Sequence, residues 1–340
     1  MKKLLLLFAA MLVAVAASHA QTPTATLSHE GTVKCFYGAD AFVNAVDEAA
    51  DGDIINLSSG YFNGTDIDKA VSIKGAGMSA DTINVIEQTI IGLDGKSHSI
   101  TNNDVNIEGI YFLNRVELKA TNIKINKCTF KGELYQYSGT EDNILINYLY
   151  NCKCLSTVGR YSSATLSYAN LNVINCYIDA ISIGQSPTYN FSFINSIIGS
   201  TSANNYYCSF INCIIIINNS NYLSYINSSN YVYYCVGYNQ NGTIFNHIID
   251  YNNTNSVVSN LSELFKTFSG TNYSEYETFE LTTEAASTYL GDDGTQVGIY
   301  GGSMPFNPRV NNPYITKCTV AEKSTPQGTL SVDIEVKPAQ

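Results

Sequence analysis

The chain has no tryptophan, and only 14% of its 340 residues are charged. Arginine occurs three times, at Arg115, Arg160 and Arg309, and the formal charge is −11. A surface so short of cations, with a pI near 4.8, gives phosphate backbones nothing to neutralise, so nucleic-acid binding is excluded. After residue 17 no apolar run approaches the roughly 18 residues that a membrane span requires. Histidine is scarce, and His29, His98 and His247 show no metal-type spacing. The Gly-x-Ser-x-Gly elbow of hydrolases is missing as well.

Charge is rarest in the middle. Residues 143–260 hold four charged side chains, Lys153, Arg160, Asp179 and Asp250, and none lies between Asp179 and Asp250. Such a stretch cannot supply a general acid–base pair by itself. The richer region before it offers Asp94, His98, Glu108 and Arg115 as the only catalytic candidates, and solvated corners account for them as well.

Tyrosine and asparagine, by contrast, are abundant, at 25 and 37 residues. Residues 2–20 read as a secretory leader: Lys2-Lys3, an apolar stretch from Leu4 to Ala17, then Ser18-His19-Ala20 before Gln21. Domain boundaries follow: leader 1–20, main body 21–302, and a linker with hairpin at 303–340. The expected location is therefore the periplasm, the cell surface or the extracellular space.

A phrase recurs through the main body, as Ile125-Asn126-Lys127-Cys128, Tyr150-Asn151-Cys152, Ile174-Asn175-Cys176, Ile194-Asn195-Ser196, Ile211-Asn212-Cys213, Ile226-Asn227-Ser228 and Phe245-Asn246-His247. Its spacing varies, which suits solenoid coils whose corners accept insertions. Short runs rich in Ile, Val, Phe and Tyr surround each phrase, as in strands. Asn tolerates the left-handed corner conformation and could bond to its equivalent one coil up. The cysteines that follow read as thiols buried inside the solenoid, because free Cys packs as a small hydrophobe. A capping helix is expected over Ala39–Ala50, with Phe42, Val43, Val46 and Ala49 inward, before a first strand at Ile54-Ile55-Asn56-Leu57. Strict alternation at Leu330, Val332, Ile334 and Val336 predicts a last strand, paired with Tyr314–Val320.

The stretch from the Ala-rich helix through DGDIINLSSGYF to VSIKGAG (71–77) resembles the opening of the pectin-lyase-like superfamily. The segment DDGTQVGIYGGSMPFNP (292–308) is similar to the ending of secreted β-helix proteins from Bacteroidetes. The resemblance implies an all-β, right-handed parallel β-helix with an N-terminal capping helix and a C-terminal β-hairpin. Its members include lyases, hydrolases and binding proteins, so it implies no single activity.

The expected function is a non-catalytic secreted rod that binds polysaccharide or another cell-surface component. The alternative is a polysaccharide lyase or glycoside hydrolase. Tyr222, Tyr225, Tyr231, Tyr233 and Tyr238 are the binding candidates, since Tyr offers a flat apolar face with a polar tip for stacking on sugars. No metal site and no cofactor are expected; Ca²⁺ is the one ion that the Asp292-Asp293-Gly294 turn could touch.

Overall fold

A computed structural model describes residues 22–79, 88–161, 168–183, 189–199, 207–217, 230–239, 244–245, 254–268, 276–310, 314–320 and 332–337, with 189, 239 and the last two segments described by backbone alone. The leader, Tyr222, Tyr225, His247 and the expected turn at 324–328 lie outside these residues. The chain is an all-β solenoid of about seven turns.

An antiparallel pair, Thr24–His29 with Thr32–Tyr37, opens the fold and pairs onto Ile54–Leu57. This hairpin was not expected. The sequence marks it only by the Glu30-Gly31 turn, where both residues have positive φ. The capping helix runs Ala41–Glu48 and buries Ala41, Phe42, Ala45 and Val46. Val43 was expected to face inward but is only half-buried, and Ala45 fills the face in its place.

The solenoid has three faces. On the first, strands Asn106–Glu108, Lys124–Asn126, Leu145–Tyr150, Ala169–Ile174, Tyr189–Ile194, Cys208–Ile211 and Tyr231–Tyr233 stack in parallel. The second continues each coil through Tyr111–Phe112, Thr129–Phe130, Lys153–Tyr161, Tyr177–Ser182, Ile197–Ile198, Ile214–Ile217 and Val236–Asn239. A shorter third face joins His98–Ile100, Val116–Leu118, Leu134–Tyr137 and the end of Lys153–Tyr161. Alternate side chains point inward and form columns. Phe112 stacks on Phe130 at 5.3 Å and Phe193 on Phe210 at 5.1 Å. Period-two patterning puts one side of every strand in this core and leaves the other side for chemistry.

The sharp corner between the first and second faces sets the repeat. Lys127, Asn151, Asn175, Asn195, Asn212 and Tyr234 occupy it, all with φ between 46° and 55°. Asn suits this left-handed conformation better than other non-glycine residues. In the first phrase the corner is Lys127, not Asn126, which sits in its strand opposite Tyr150. After Cys213 the equivalent corner is Tyr234-Cys235, and Asn255 follows one coil later. The phrase at 226–228 and the Asn246-His247 pair lie outside the described residues.

The residue after each corner turns inward and resolves a buried polar problem. The Cys176 Sγ–H donates to the Ile174 carbonyl at 3.2 Å, while the same sulfur accepts the Cys152 N–H at 3.3 Å. Cys213 and Cys235 repeat the arrangement, and Ser196 supplies a hydroxyl in the same role. A buried N–H left unpaired costs roughly 1–3 kcal/mol, so this ladder matters in every coil. Cys128, Cys152, Cys154, Cys176, Cys208, Cys213 and Cys235 are buried and unbridged, and Cys35 is exposed.

The corner amides do not bond to one another. Those of Asn151, Asn175 and Asn212 hold residues 291–310, which run back along the corners in the opposite direction. Asn212 Oδ1 accepts the Asp292 N–H at 3.0 Å and its Nδ2 donates to Asp292 Oδ1 at 2.7 Å. Asn175 Nδ2 donates to the carbonyls of Ile299 (2.8 Å) and Gly301 (2.7 Å). Asn151 Oδ1 accepts the Asn307 N–H at 3.1 Å, and Val310 reaches Gly109. Between them Gly302 passes over Asn195 so closely that a Cβ would lie 2.1 Å from its Nδ2.

This segment and the residues before it, 261–268 and 276–290, cover the second face. Tyr177, Ile197, Ile214, Ile216 and Val236 point outward there, yet they are buried beneath Leu264, Phe265, Phe268, Phe279, Leu281, Val297 and Ile299. Tyr177 stacks on Phe279 at 4.4 Å. Residues 303–310 were read as a linker, but Phe306 is buried in this second core and Asn307 is clamped. The terminal strands Tyr314–Val320 and Val332–Lys337 pair antiparallel, as the alternation implies.

Two outcomes follow from the corner. Asn175→Ala strands two buried carbonyls and is expected to cost about 1–3 kcal/mol, with faster amide exchange confined to 291–310. Denaturant unfolding and hydrogen exchange measure both, and unchanged exchange there would contradict the clamp. Burial also pushes the thiols of Cys128, Cys154, Cys176, Cys208 and Cys213 upward. Alkylation of the native protein followed by mass spectrometry should therefore modify Cys35 while sparing these five until the chain is unfolded.

Candidate functional site: two uncovered faces

With the second face covered, the outward sides of the third and first faces remain for chemistry. On the third, Arg115-x-Glu117-x-Lys119 lies one coil below Glu133-x-Tyr135-x-Tyr137, and Tyr161 lies above Tyr137. Lys119 Nζ sits 2.7 Å from Glu117 and donates to Ser99 Oγ at 2.8 Å. The Ser99 hydroxyl donates to Glu117 at 3.2 Å. Arg115 Nε donates to Glu133 at 3.0 Å, and the Tyr135 hydroxyl donates to the same carboxylate at 3.1 Å. The cations also lie over rings, Arg115 on Tyr135 at 5.0 Å and Lys119 on Tyr137 at 4.8 Å. Tyr137 stacks on Tyr161 at 4.5 Å.

The electrostatics of this cluster are those of satisfied pairs. Burial pulls the Glu117 carboxyl up, but the Lys119 hydrogen bond and charge, with Ser99 and Tyr137, outweigh it and hold it below the ordinary range. Burial and the Glu117 charge push the Tyr137 hydroxyl up to about 12. A general acid needs a raised carboxyl and a general base needs an unengaged one. Glu117 does not meet this requirement, and the Glu133 carboxylate is engaged by Arg115 and the Tyr135 hydroxyl. Asp179 is held above its ordinary value by burial, against a Tyr177 hydroxyl at 3.0 Å. Its partner Tyr177 belongs to the covered second face.

The four catalytic candidates are distributed as follows. Asp94 accepts from the Gly64 N–H at 3.3 Å and pairs with Lys96 at 3.3 Å. Burial raises its carboxyl, but these partners outweigh the effect and hold it low. His98 is buried beside it, and both ring nitrogens lack a hydrogen-bond partner. Only a glycine at 64 leaves room, because a Cβ there would fall 1.7 Å from His98 Cε1. The Arg115 backbone accepts the His98 N–H at 2.9 Å, but its guanidinium turns outward to Glu133. Glu108 is on the first face, 4.0 Å from Lys127. Asp94 and His98 are neighbours, while Glu108 and the Arg115 side chain point elsewhere.

The first face carries the tyrosines. Its outward columns read Tyr148–Asn172–Ser192–Ser209–Tyr231 and Tyr150–Ile174–Ile194–Ile211–Tyr233, in register across five coils. Tyr148 and Tyr150 lie parallel, 2° apart at 6.0 Å, and Tyr231 and Tyr233 are 5.9 Å apart. The strands of these coils pack chiefly against other strands of the solenoid. Tyr231 and Tyr233 were expected as binding residues and share this face. Tyr238 does not join them, since it packs half-buried against the second core. Tyr148 and Tyr150 escaped the sequence reading, although their x-Tyr-x-Tyr alternation matches Tyr231-x-Tyr233. The Arg115 and Glu133 triplets were legible in the same way, as two alternating patterns 18 residues apart.

Among the described residues no three His, Cys, Asp or Glu side chains gather as metal ligands would. No helix among them is long and apolar enough to cross a membrane. No family model, curated protein or solved structure matches this chain.

His98 yields a pH prediction. Burial lowers its pKa below the free value of 6.5, although Asp94 and Asp66 oppose the shift. The unfolded chain then binds the proton more tightly, so this residue withdraws stability as pH falls below about 6.5. His29, raised by its hydrogen bond and proximity to Asp53, acts in the opposite sense: its contribution is present in acid and lost as pH rises through the folded value. Comparison with His98→Gln isolates the first effect. The wild type should lose more stability between pH 7 and pH 5.5 than the variant in denaturant titrations, and parallel losses would contradict the assignment.

Proposed function

We propose that this protein is an exported, non-catalytic solenoid that binds polysaccharide or another cell-surface component on its first face. The observation that carries the reading is the pair of tyrosine couples, Tyr148/Tyr150 and Tyr231/Tyr233, at the two ends of an uncharged strip of Asn, Ser and Ile. Tyrosine rings stack on the apolar faces of sugars while amides and hydroxyls exchange hydrogen bonds with their hydroxyls. A rigid parallel sheet holds these groups in place, so little order has to be gained on binding. Export is supported by the Lys2-Lys3, Leu4–Ala17 and Ser18-His19-Ala20 pattern.

The lyase or hydrolase alternative would use the third face, where Tyr135, Tyr137 and Tyr161 surround Arg115, Glu117, Lys119 and Glu133. The ion-paired state of both carboxylates weighs against it, because acid–base work would first have to break those pairs.

The test incubates purified residues 21–340 with neutral and acidic polysaccharides, with and without Ca²⁺. Retention in affinity gels without chain shortening or new double bonds is the expected result. Cleavage of any polysaccharide would overturn the non-catalytic reading. Removing Tyr231 and Tyr233 should weaken retention several-fold, as expected when aromatic contacts of about 0.5–1.5 kcal/mol each are lost.

A further inference from the structure

We infer that the ligand of the first face is a neutral, extended β-linked glycan lying along the solenoid axis, with about one sugar ring per coil. This rests on the polysaccharide-binding reading and goes beyond it in charge, shape, direction and length. Charge comes first. None of the ten outward residues from Tyr148 to Tyr231 and from Tyr150 to Tyr233 is ionisable near neutrality, and among the described residues the nearest charge in the first column is Lys124, one coil below Tyr148. An acidic glycan would find no cation here, on a chain whose formal charge is already −11. A cationic one would find no carboxylate in the strip.

Shape and direction follow from the register. The coils stack without any shift in either column, so equivalent positions repeat along the axis about every 4.8 Å, the spacing between hydrogen-bonded strands. A pyranose in an extended β-linked chain is about that long, whereas an α-linked chain of the amylose type curls away from a straight track. The Asn172, Ser192 and Ser209 column offers a polar group per coil for ring hydroxyls. The parallel Ile174, Ile194 and Ile211 column offers an apolar one for ring C–H faces. Length is read among the described residues, where both columns run from the coil of Tyr148 to the coil of Tyr231. Tyr148 and Tyr231 are four coil steps apart, on the order of 19 Å, which spans about five rings.

The experiment uses purified residues 21–340 and β-1,4-linked gluco-oligosaccharides of two to seven rings, followed by calorimetry at low and high salt. Soluble neutral β-glucan and polygalacturonate are compared in affinity gels. Affinity should climb with each ring to at least about five, with no salt dependence. Tyr148→Ala and Tyr231→Ala should each cut the affinity of the long oligomers several-fold. Ser192→Lys, in mid-column, should do so without touching either tyrosine couple, which keeps the test valid if a tyrosine variant misfolds. Preference for polygalacturonate, or loss of retention on Arg115→Ala but not on the first-face variants, would overturn this inference while leaving a polysaccharide-binding protein. Retention of no polysaccharide at all would overturn both.

Discussion

The left-handed corner between the first two faces is the constraint on which the rest depends. It turns each coil through one residue, and it creates a buried N–H immediately afterwards that no strand ladder can satisfy. The chain answers the first demand mainly with Asn and the second with a buried Cys or Ser. Cys176 and Ser196 occupy the same place and make the same two contacts, to the carbonyl two residues back and to the N–H one coil below. Thiol and hydroxyl are interchangeable here because the site asks for a small donor–acceptor, not for redox chemistry.

The corner also decides which face is available. Asn151, Asn175 and Asn212 spend their amides on the returning segment 291–310, and this segment brings Val297, Ile299 and Phe306 onto the second face. What remains outside is a charged, internally paired third face and a first face whose columns from Tyr148 to Tyr231 are uncharged. Each was shaped by alternation alone, since every outward position on one coil lies against its equivalent on the next.

Much of this organisation was legible in the sequence, in uneven measure. The Asn-Cys and Asn-Ser phrases disclosed the solenoid and its buried thiols because the corner geometry admits few residue types. Lys127 and Tyr234 hid two corners, since packing can override the preference for Asn at a given coil. The partner of the corner amides was not legible: Asn175 and Gly301 are 126 residues apart, and no local pattern announces a segment that returns along the rod. The alternation at Val332–Lys337 gave the final hairpin, while 303–310 read as a linker because its prolines conceal the burial of Phe306. The grouping of tyrosines on the first face was half legible. Tyr231 and Tyr233 stood out in a charge-free stretch, but pairing them with Tyr148 and Tyr150 requires knowing that insertions of unequal length still return to one register.

The proposed ligand lies on the uncharged coils of the first face, between Tyr148 and Tyr231. Hydroxyl-radical footprinting of residues 21–340, with and without a soluble neutral β-glucan, tests this placement directly by reading tyrosine oxidation on both uncovered faces. Binding on the first face protects Tyr148, Tyr150, Tyr231 and Tyr233 and leaves Tyr135 and Tyr161 unchanged. Protection of Tyr135 and Tyr161 with the first-face tyrosines unchanged would contradict it and move the site to the charged face.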